Sequence, residues 1–327
     1  MCCSIVLWLG LSAASHAGFK WETVNYNGLD YVTLRSVKDF YYFNKIKYGA
    51  VITMETRDVA LEVRPGTQRC RMNGVLFILS HPVLERGGRY LLSKTDLTKL
   101  IDPVMRPTYI HRARHFNTVV IDPGHGGKDS GGLGHHENEK VYTLKIARLV
   151  RDILQRQGYR VVMTRDSDVA LSLAGRVRIA NKYPDAIFIS IHFNAGNSRA
   201  NGIETFTVSP VGVPHMGRDV RAGDFRSVPG NVMDSASIAL ATAVHSRALL
   251  YLNSKNAGSD FDIEDRGIKR ARYNVLTGIK IPAILFEGGF LSNRSEATKV
   301  HSSAYQKTLA SAIARAVDVY KKSVTSR

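Results

Sequence analysis

Four side chains in this sequence have the types and surroundings that metal-assisted hydrolysis requires: His125, Glu139, His192 and Glu287. His125 follows the apolar run Val119-Val120-Ile121 through the turn Asp122-Pro123-Gly124 and precedes Gly126-Gly127. His192 follows Ile187-Phe188-Ile189-Ser190-Ile191, and Glu287 follows Ala283-Ile284-Leu285-Phe286 and precedes Gly288-Gly289. Hydrolytic zinc sites use three nitrogen or oxygen ligands and leave the fourth position to water, and His125, Glu139 and His192 make such a set. Glu287 is then free to take the proton of the water and return it to a leaving amine. Taken singly the residues say less. A histidine at a strand end is more often a hydrogen-bonded structural residue, and Glu139 alone reads as a favourable charge at a helix N-terminus. Glu287 differs, because a carboxylate closing the run Ile-Pro-Ala-Ile-Leu-Phe is costly to bury unless it is paired.

These groups can act together only if the chain delivers them to one crevice. From Asn117 onward, apolar runs of strand length alternate with helical periodicities. The pattern predicts strands over 117–122, 159–164, 186–191 and 281–286, with helices over 139–157, 173–181, 238–253 and 304–321. Alternation of this kind gives an α/β fold: a mostly parallel sheet with helices on both faces. Ligands gather at the carboxyl ends of such strands, which places His125, His192 and Glu287 together. Glu139 opens a helix whose apolar positions Val141, Leu144, Ile146, Ala147, Val150 and Leu154 are expected to face the sheet, and the glycine-rich excursion from His125 brings it back beside that histidine.

Eight segments, in this order, resemble the zinc-dependent N-acetylmuramoyl-L-alanine amidases of the type 3 family. They are Asp-Pro-Gly-His-Gly-Gly (122–127), Glu-Lys-Val-Tyr-Thr-Leu (139–144), Met-Thr-Arg (163–165), Leu-Ala-Gly-Arg through Ala-Asn (173–181), Ser-Ile-His-Phe-Asn-Ala (190–195), Gly-Ile-Glu-Thr (202–205), Asp-Arg-Gly-Ile-Lys (265–269) and Glu-Gly-Gly-Phe-Leu-Ser-Asn (287–293). The resemblance spans 117–322. It implies one Zn2+ per chain on His125, Glu139 and His192, and Glu287 as catalytic acid/base. The implied substrate is the amide joining the lactyl group of N-acetylmuramic acid to L-alanine in peptidoglycan. Glu137 competes with Glu139 as a ligand, but Glu139 stands in the family's register ahead of Lys140. His135 and His136 read as exposed loop histidines.

Asn194 and Arg266 are candidates for substrate contact. Asn194 could donate to a carbonyl or simply cap a turn, and Arg266 could bind a stem-peptide carboxylate or a structural acid. The segment between Phe206 and Asp234 interrupts the family pattern where some relatives carry an inhibitory helix. Four glycines and three prolines make it a poor helix, so residues 207–233 are expected to form a flap or surface loop leaving the carboxyl edge of a strand, where loops line the site.

Residues 18–105 read as a small α+β domain. Short β-rich pieces (51–55, 59–63, 69–72 and 75–79) are separated by turns, of which Asn73-Gly74 is a hairpin signal. Tyr31 to Val37 and Tyr90 to Leu97 echo one another as a strand running into a capped helix. The stretch resembles the copper amine oxidase N-terminal-like domain and carries no catalytic motif, so no copper is implied. Residues 106–116 are basic and proline-containing, as in a connector, with a polyanion-binding stripe as the alternative.

Composition bounds the rest. A hydrophobic content of 44% against 22% charged residues belongs to a folded chain. The formal charge of +17 suits polyanionic surroundings; with the resemblance, the expected partners are peptidoglycan and other anionic wall polymers, with no nucleic acid, and any protein activator stays unnamed. The apolar run Ile5 to Ala14, followed by Ser15-His16-Ala17, reads as a signal peptide over 1–17, although no basic residue precedes it. Secretion across the inner membrane to the periplasm or cell wall follows from that reading. Cleavage would leave Cys70 alone, with no intrachain disulfide. No other run approaches the roughly 20 apolar residues of a membrane span, so no transmembrane anchor is expected. Two further activities share these features: a zinc peptidase acting within the stem peptide, and a non-catalytic wall-binding protein.

Overall fold

A computed structural model describes residues 18–110, 115–254 and 260–325. The signal-peptide reading over 1–17, with Cys2 and Cys3, lies outside them. The chain divides into two compact units, Met1–Tyr109 and Ile110–Arg327.

In the first unit, β1 (Thr23–Tyr26) and β2 (Leu29–Thr33) form a hairpin, and β2 runs directly into α1 (Leu34–Phe40), capped by Thr33, whose hydroxyl accepts from Ser36 N. An antiparallel meander follows: β3 (Lys45–Lys47), β4 (Ile52–Glu55), β5 (Ala60–Val63), β6 (Arg69–Met72) and β7 (Val75–Ile78). The β6–β7 hairpin turns at Asn73 and Gly74, both left-handed (φ 49° and 83°), as a two-residue type I′ turn demands. Then β8 (Leu84–Arg86) pairs with β9 (Arg89–Ser93), which enters α2 (Lys94–Asp96), capped by Ser93. A π-turn over Leu97–Ile101 carries α2 on into α3 (Asp102–Met105). The two sequence echoes are partners: β2 and β9 are antiparallel, with Tyr31 opposite Ser93 and Thr33 opposite Leu91, so each copy of the strand-and-cap unit pairs with the other. Cys70 is buried, and burial raises its thiol pKa.

The second unit carries the sheet that holds the candidate residues. Its strands are β10 (Thr118–Pro123), β11 (Arg160–Met163), β12 (Ala186–Asn194), β13 (Ile203–Val208), β14 (Asp265–Ala271) and β15 (Ala283–Phe290), in the spatial order β11-β10-β12-β15-β13-β14. The first four in that order are parallel, β13 is antiparallel to β15, and β13 and β14 are parallel. The sheet is therefore mixed but mostly parallel. Its helices are α4 (Glu139–Arg156), α5 (Leu173–Ala180), α6 (Asp234–Leu252), α7 (Asn274–Gly278), α8 (Arg294–His301) and α9 (Ser303–Thr325). Val120, Phe188, Phe206 and Leu285 pack with Ala180 of α5 and with Val275 and Leu276 of α7. Val119, Ile121, Ile187 and Ile189 alternate with them and point to the other face, against which α4, α6 and α9 pack.

Several elements differ from expectation. Strands β12 and β15 extend to Asn194 and Phe290, so His192 and Glu287 lie inside paired strands and face each other in register, not beyond the strand ends. Strand β14 was not anticipated, and β13 only as the strand that the 207–233 loop leaves, because Glu204, Thr205, Thr207, Lys269 and Arg270 break up any apolar run, although all five are buried. On α4 the buried stripe is Glu139, Tyr142, Thr143, Ile146, Ala147, Val150 and Leu154; Val141 is exposed, lying more than a quarter of a turn from that stripe. No helix of the described residues is long and apolar enough to cross a membrane.

Candidate active site

The sheet brings His125, Glu139 and His192 together. His125 sits one residue past Gly124 at the end of β10 with φ 59°, a left-handed conformation that a non-glycine residue adopts only when its surroundings hold it there. His192 comes from β12, whose register sets it beside the β10 end. Glu139 falls on the stripe of α4 that faces the sheet and is 4% exposed. His125 Nε2 lies 3.0 Å from Glu139 Oε2, and His192 Nδ1 lies 2.8 Å from Glu139 Oε1. One donor atom from each residue falls within 4.8 Å of the others, and the imidazoles meet edge to face at 4.9 Å between centroids.

The space is built for these side chains. A Cβ on Gly124 would come 2.3 Å from the His192 ring, and one on Gly131 would come 2.5 Å from Glu139 Oε2. The Glu139 carboxylate also accepts from Gly132 N at 2.8 Å and from Phe193 N at 3.0 Å. Burial opposes its ionisation, but the hydrogen bonds from His125 and His192 outweigh that cost and hold the carboxyl well below the usual range. Asp129 Oδ2 lies 2.9 Å from His125 Nδ1 and so orients the ring, leaving Nε2 for the cluster. Two imidazoles and an ionised carboxylate, converging on one point with an outer carboxylate behind, fit a zinc ion with an open position.

Glu287 is the cross-strand neighbour of His192 on β15 and, on its other side, of Glu204 on β13. Its carboxyl is raised well above the ordinary range, by burial first and then by the carboxylates of Glu139 and Glu204, with Lys269 opposing. Glu287 Oε2 is buried without a hydrogen-bond partner among the described residues. A buried acid with one idle oxygen beside a histidine of the candidate metal cluster is placed to exchange a proton.

The remaining candidates separate. Glu137, His135 and His136 are exposed; His135 reaches Ser292 O, and His136 stacks on His301 with centroids 4.6 Å apart. Asn194 Nδ2 lies 3.5 Å from Glu204 Oε2. Arg266 donates from Nε to Glu204 Oε1 at 2.5 Å, with its guanidinium 4.8 Å from the Phe290 ring centroid. The segment over 207–233 leaves the end of β13, and because β13 runs against β15 that end points away from Glu287 and His192. Its contacts there include Met216 N to Arg270 O and Arg272 to Asp224. His215 of this loop packs edge to face on Tyr273 at 5.2 Å between centroids, and the Tyr273 phenol is pushed up by burial first and then by Glu287 and Glu204.

Sequence reasoning assigned no role to the polar floor under the site. Asp122, fully buried, accepts from Arg176 Nη1 (2.6 Å), Ser190 Oγ (2.7 Å) and Thr164 Oγ1 (2.5 Å). Arg176 also donates to the carbonyls of Pro123 and His125, and Arg165 to those of Pro123, Gly124 and Lys140. Two buried guanidiniums thus clamp the turn that presents His125. The available signal was Asp122 itself, a charge closing an otherwise apolar strand.

The chain is similar to several amidases. The sporulation-specific N-acetylmuramoyl-L-alanine amidase of Bacillus subtilis is 31% identical over 194 residues, which is 59% of this chain and 63% of that protein. Among solved structures, the N-acetylmuramoyl-L-alanine amidase AmiC2 of Nostoc punctiforme is 32% identical and covers 64% of this chain and 98% of its own, with a TM-score of 0.50. The N-acetylmuramoyl-L-alanine amidase of Clostridium difficile 630 is also 32% identical, over 63% of this chain and 97% of its own, with a TM-score of 0.50. Residues 119–319 match the family described as N-acetylmuramoyl-L-alanine amidase, and with more than half of its length inside that match the chain belongs to the family.

Proposed function

We propose that this protein is a zinc-dependent peptidoglycan hydrolase that cleaves the amide between N-acetylmuramic acid and L-alanine. The observation that carries the reading is the convergence of His125, Glu139 and His192 with Glu287 one strand away, whose buried Oε2 has no hydrogen-bond partner among the described residues. His125, Glu139 and His192 would hold the ion. Bound zinc supplies Lewis acidity, polarising the scissile carbonyl and lowering the pKa of a nearby water. Glu287 takes the proton of the attacking water on its carboxylate and delivers it to the departing amine nitrogen, so the free L-alanine amine leaves neutral and Glu287 returns to its starting state. Asp129, Arg165 and Arg176 keep His125 and its turn in place throughout.

The charge of +17 suits acidic stem peptides and associated wall polymers as surroundings. The apolar leader over 1–17 supports export to the periplasm or cell wall, and residues 18–105, which hold no candidate ligand or base, are assigned to placement at the wall, with 106–116 as the connector.

Mass spectrometry of digested sacculi tests the reaction. The expected products are peptides that begin with a free L-alanine amine, together with glycan lacking stems. Products shortened within the stem would make the protein a peptidase instead, and zinc-loaded protein that binds sacculi without releasing peptide would make it a binding protein.

A further inference from the structure

Beside the metal ligands the sheet carries a second charged cluster, centred on Glu204. This carboxylate is 3% exposed and sits opposite Glu287 in the antiparallel β13–β15 pair. Its Oε1 accepts from Lys269 Nζ at 2.8 Å and from Arg266 Nε at 2.5 Å. Two cations on one buried acid leave a positive surplus. Lys269 is nearly enclosed, with 10% of its side chain exposed, whereas 30% of Arg266 remains open. The guanidinium is fixed on two sides, by Glu204 at Nε and by the Phe290 ring with its centroid 4.8 Å away. A guanidinium held by its Nε presents its Nη edge, the geometry that grips a carboxylate through paired N–H groups.

We propose that Arg266 is the carboxylate-binding residue of a specificity subsite, and that its ligand is the α-carboxylate of the second stem residue. The assignment rests on the amidase reading, and distances select the carboxylate. Adjacent strands lie about 4.8 Å apart, so Glu204, two strands from His192, is roughly 10 Å along the row from it. The scissile bond belongs between His192 and Glu287. In an extended stem, the α-carboxylate of the second residue lies about 6 Å beyond the scissile nitrogen, given a spacing of about 3.8 Å between successive Cα atoms. That places it over Glu204, where the Arg266 guanidinium sits. When the second residue is linked onward through its side-chain carboxyl, its α-carboxylate is the first free acid of the stem, and later ones fall beyond the row. A stem whose α-carboxylate is amidated offers Arg266 no charge.

The test uses two soluble substrates, muramoyl tripeptide amides that differ only in a carboxylate or a carboxamide at that position. The expected result is that zinc-loaded wild-type protein prefers the carboxylate by about 10- to 100-fold in kcat/KM, chiefly through KM, the range of a charge-assisted bidentate pair. Arg266→Met should erase the preference, and Arg266→Lys should restore part of it. Equal cleavage of both substrates by wild type, or an Arg266→Met variant that keeps its zinc and its preference, overturns the subsite. Because the wild-type comparison needs no variant, a poorly folding Arg266→Met leaves the test intact. Failure of wild-type protein with one zinc per chain to cleave either substrate removes the amidase reading itself and the subsite with it.

Discussion

Glu287, inside β15, is the residue on which the proposed chemistry turns, and its environment separates its proposed role from that of the candidate ligands. Glu139 is surrounded by donors, four hydrogen bonds converging on its two oxygens, whereas Glu287 Oε2 has none among the described residues. A ligand needs its carboxylate ionised and fixed; a proton shuttle needs one oxygen free. Glu287→Gln keeps the side-chain size and the three-ligand set, so the variant is expected to retain one zinc per chain while turnover falls about 10²- to 10⁴-fold, the usual share of general acid–base catalysis. His192→Ala should lose zinc and activity together. Zinc stoichiometry measured beside muropeptide turnover decides the matter: a Gln variant without zinc makes Glu287 a ligand, and a fully active one removes it from the reaction.

Elements hold these residues through polar groups that lie out of solvent. The β10 turn depends on Asp122, whose 1%-exposed side chain pairs with Arg176, itself 4% exposed. Removing the acid leaves a buried guanidinium uncompensated, so Asp122→Ala should cost about 3–5 kcal/mol of stability and weaken zinc affinity through the displaced His125. Denaturant unfolding and zinc titration read the two effects separately, and unchanged values for both would mean that the clamp does not position the turn. At the opposite end of the sheet the 207–233 loop is organised by Asp224. The Arg218 hydrogen bond, against some desolvation and helped by Arg221 N and Arg272, holds its carboxyl well below the ordinary range. A depressed folded-state pKa contributes stability above the unfolded value of about 3.9 and loses it as pH falls. Wild type should therefore exceed Asp224→Asn in thermal midpoint at pH 7, with the gap beginning to narrow only as pH falls below about 4. A gap independent of pH would show that the carboxylate charge is not what secures the loop.

At the scale of the molecule, all four candidate catalytic and ligand residues lie in the second compact unit. A chain starting near His115 keeps Phe116, which packs between Tyr159 and Tyr320, and so should fold and cleave soluble muropeptides at close to the full-length rate. Release of peptide from intact sacculi is where residues 18–109 should matter. A shortened chain that folds, binds zinc and fails on soluble substrate would place part of the site in the first unit.

What the sequence alone determined was local: apolar runs ending in histidine or glutamate, glycines where the backbone must turn sharply, capped helix starts, and the α/β alternation that orders them. Each is written within a few residues, because strand and helix periods and turn conformations are properties of short segments. The tertiary structure decided what depends on pairing between distant segments. The antiparallel insertion of β13 put Glu204 beside Glu287 and started the 207–233 loop at the far end of that strand. Register placed His192 opposite Glu287 inside paired strands, and packing chose Tyr142 and Thr143 over Val141 for the buried face of α4. Buried charges, Asp122 with Arg176 and Glu204 with Lys269 and Arg266, were illegible for the same reason: the partner that makes each one affordable lies about 50 to 65 residues away along the chain, as with the separation of 54 between Asp122 and Arg176.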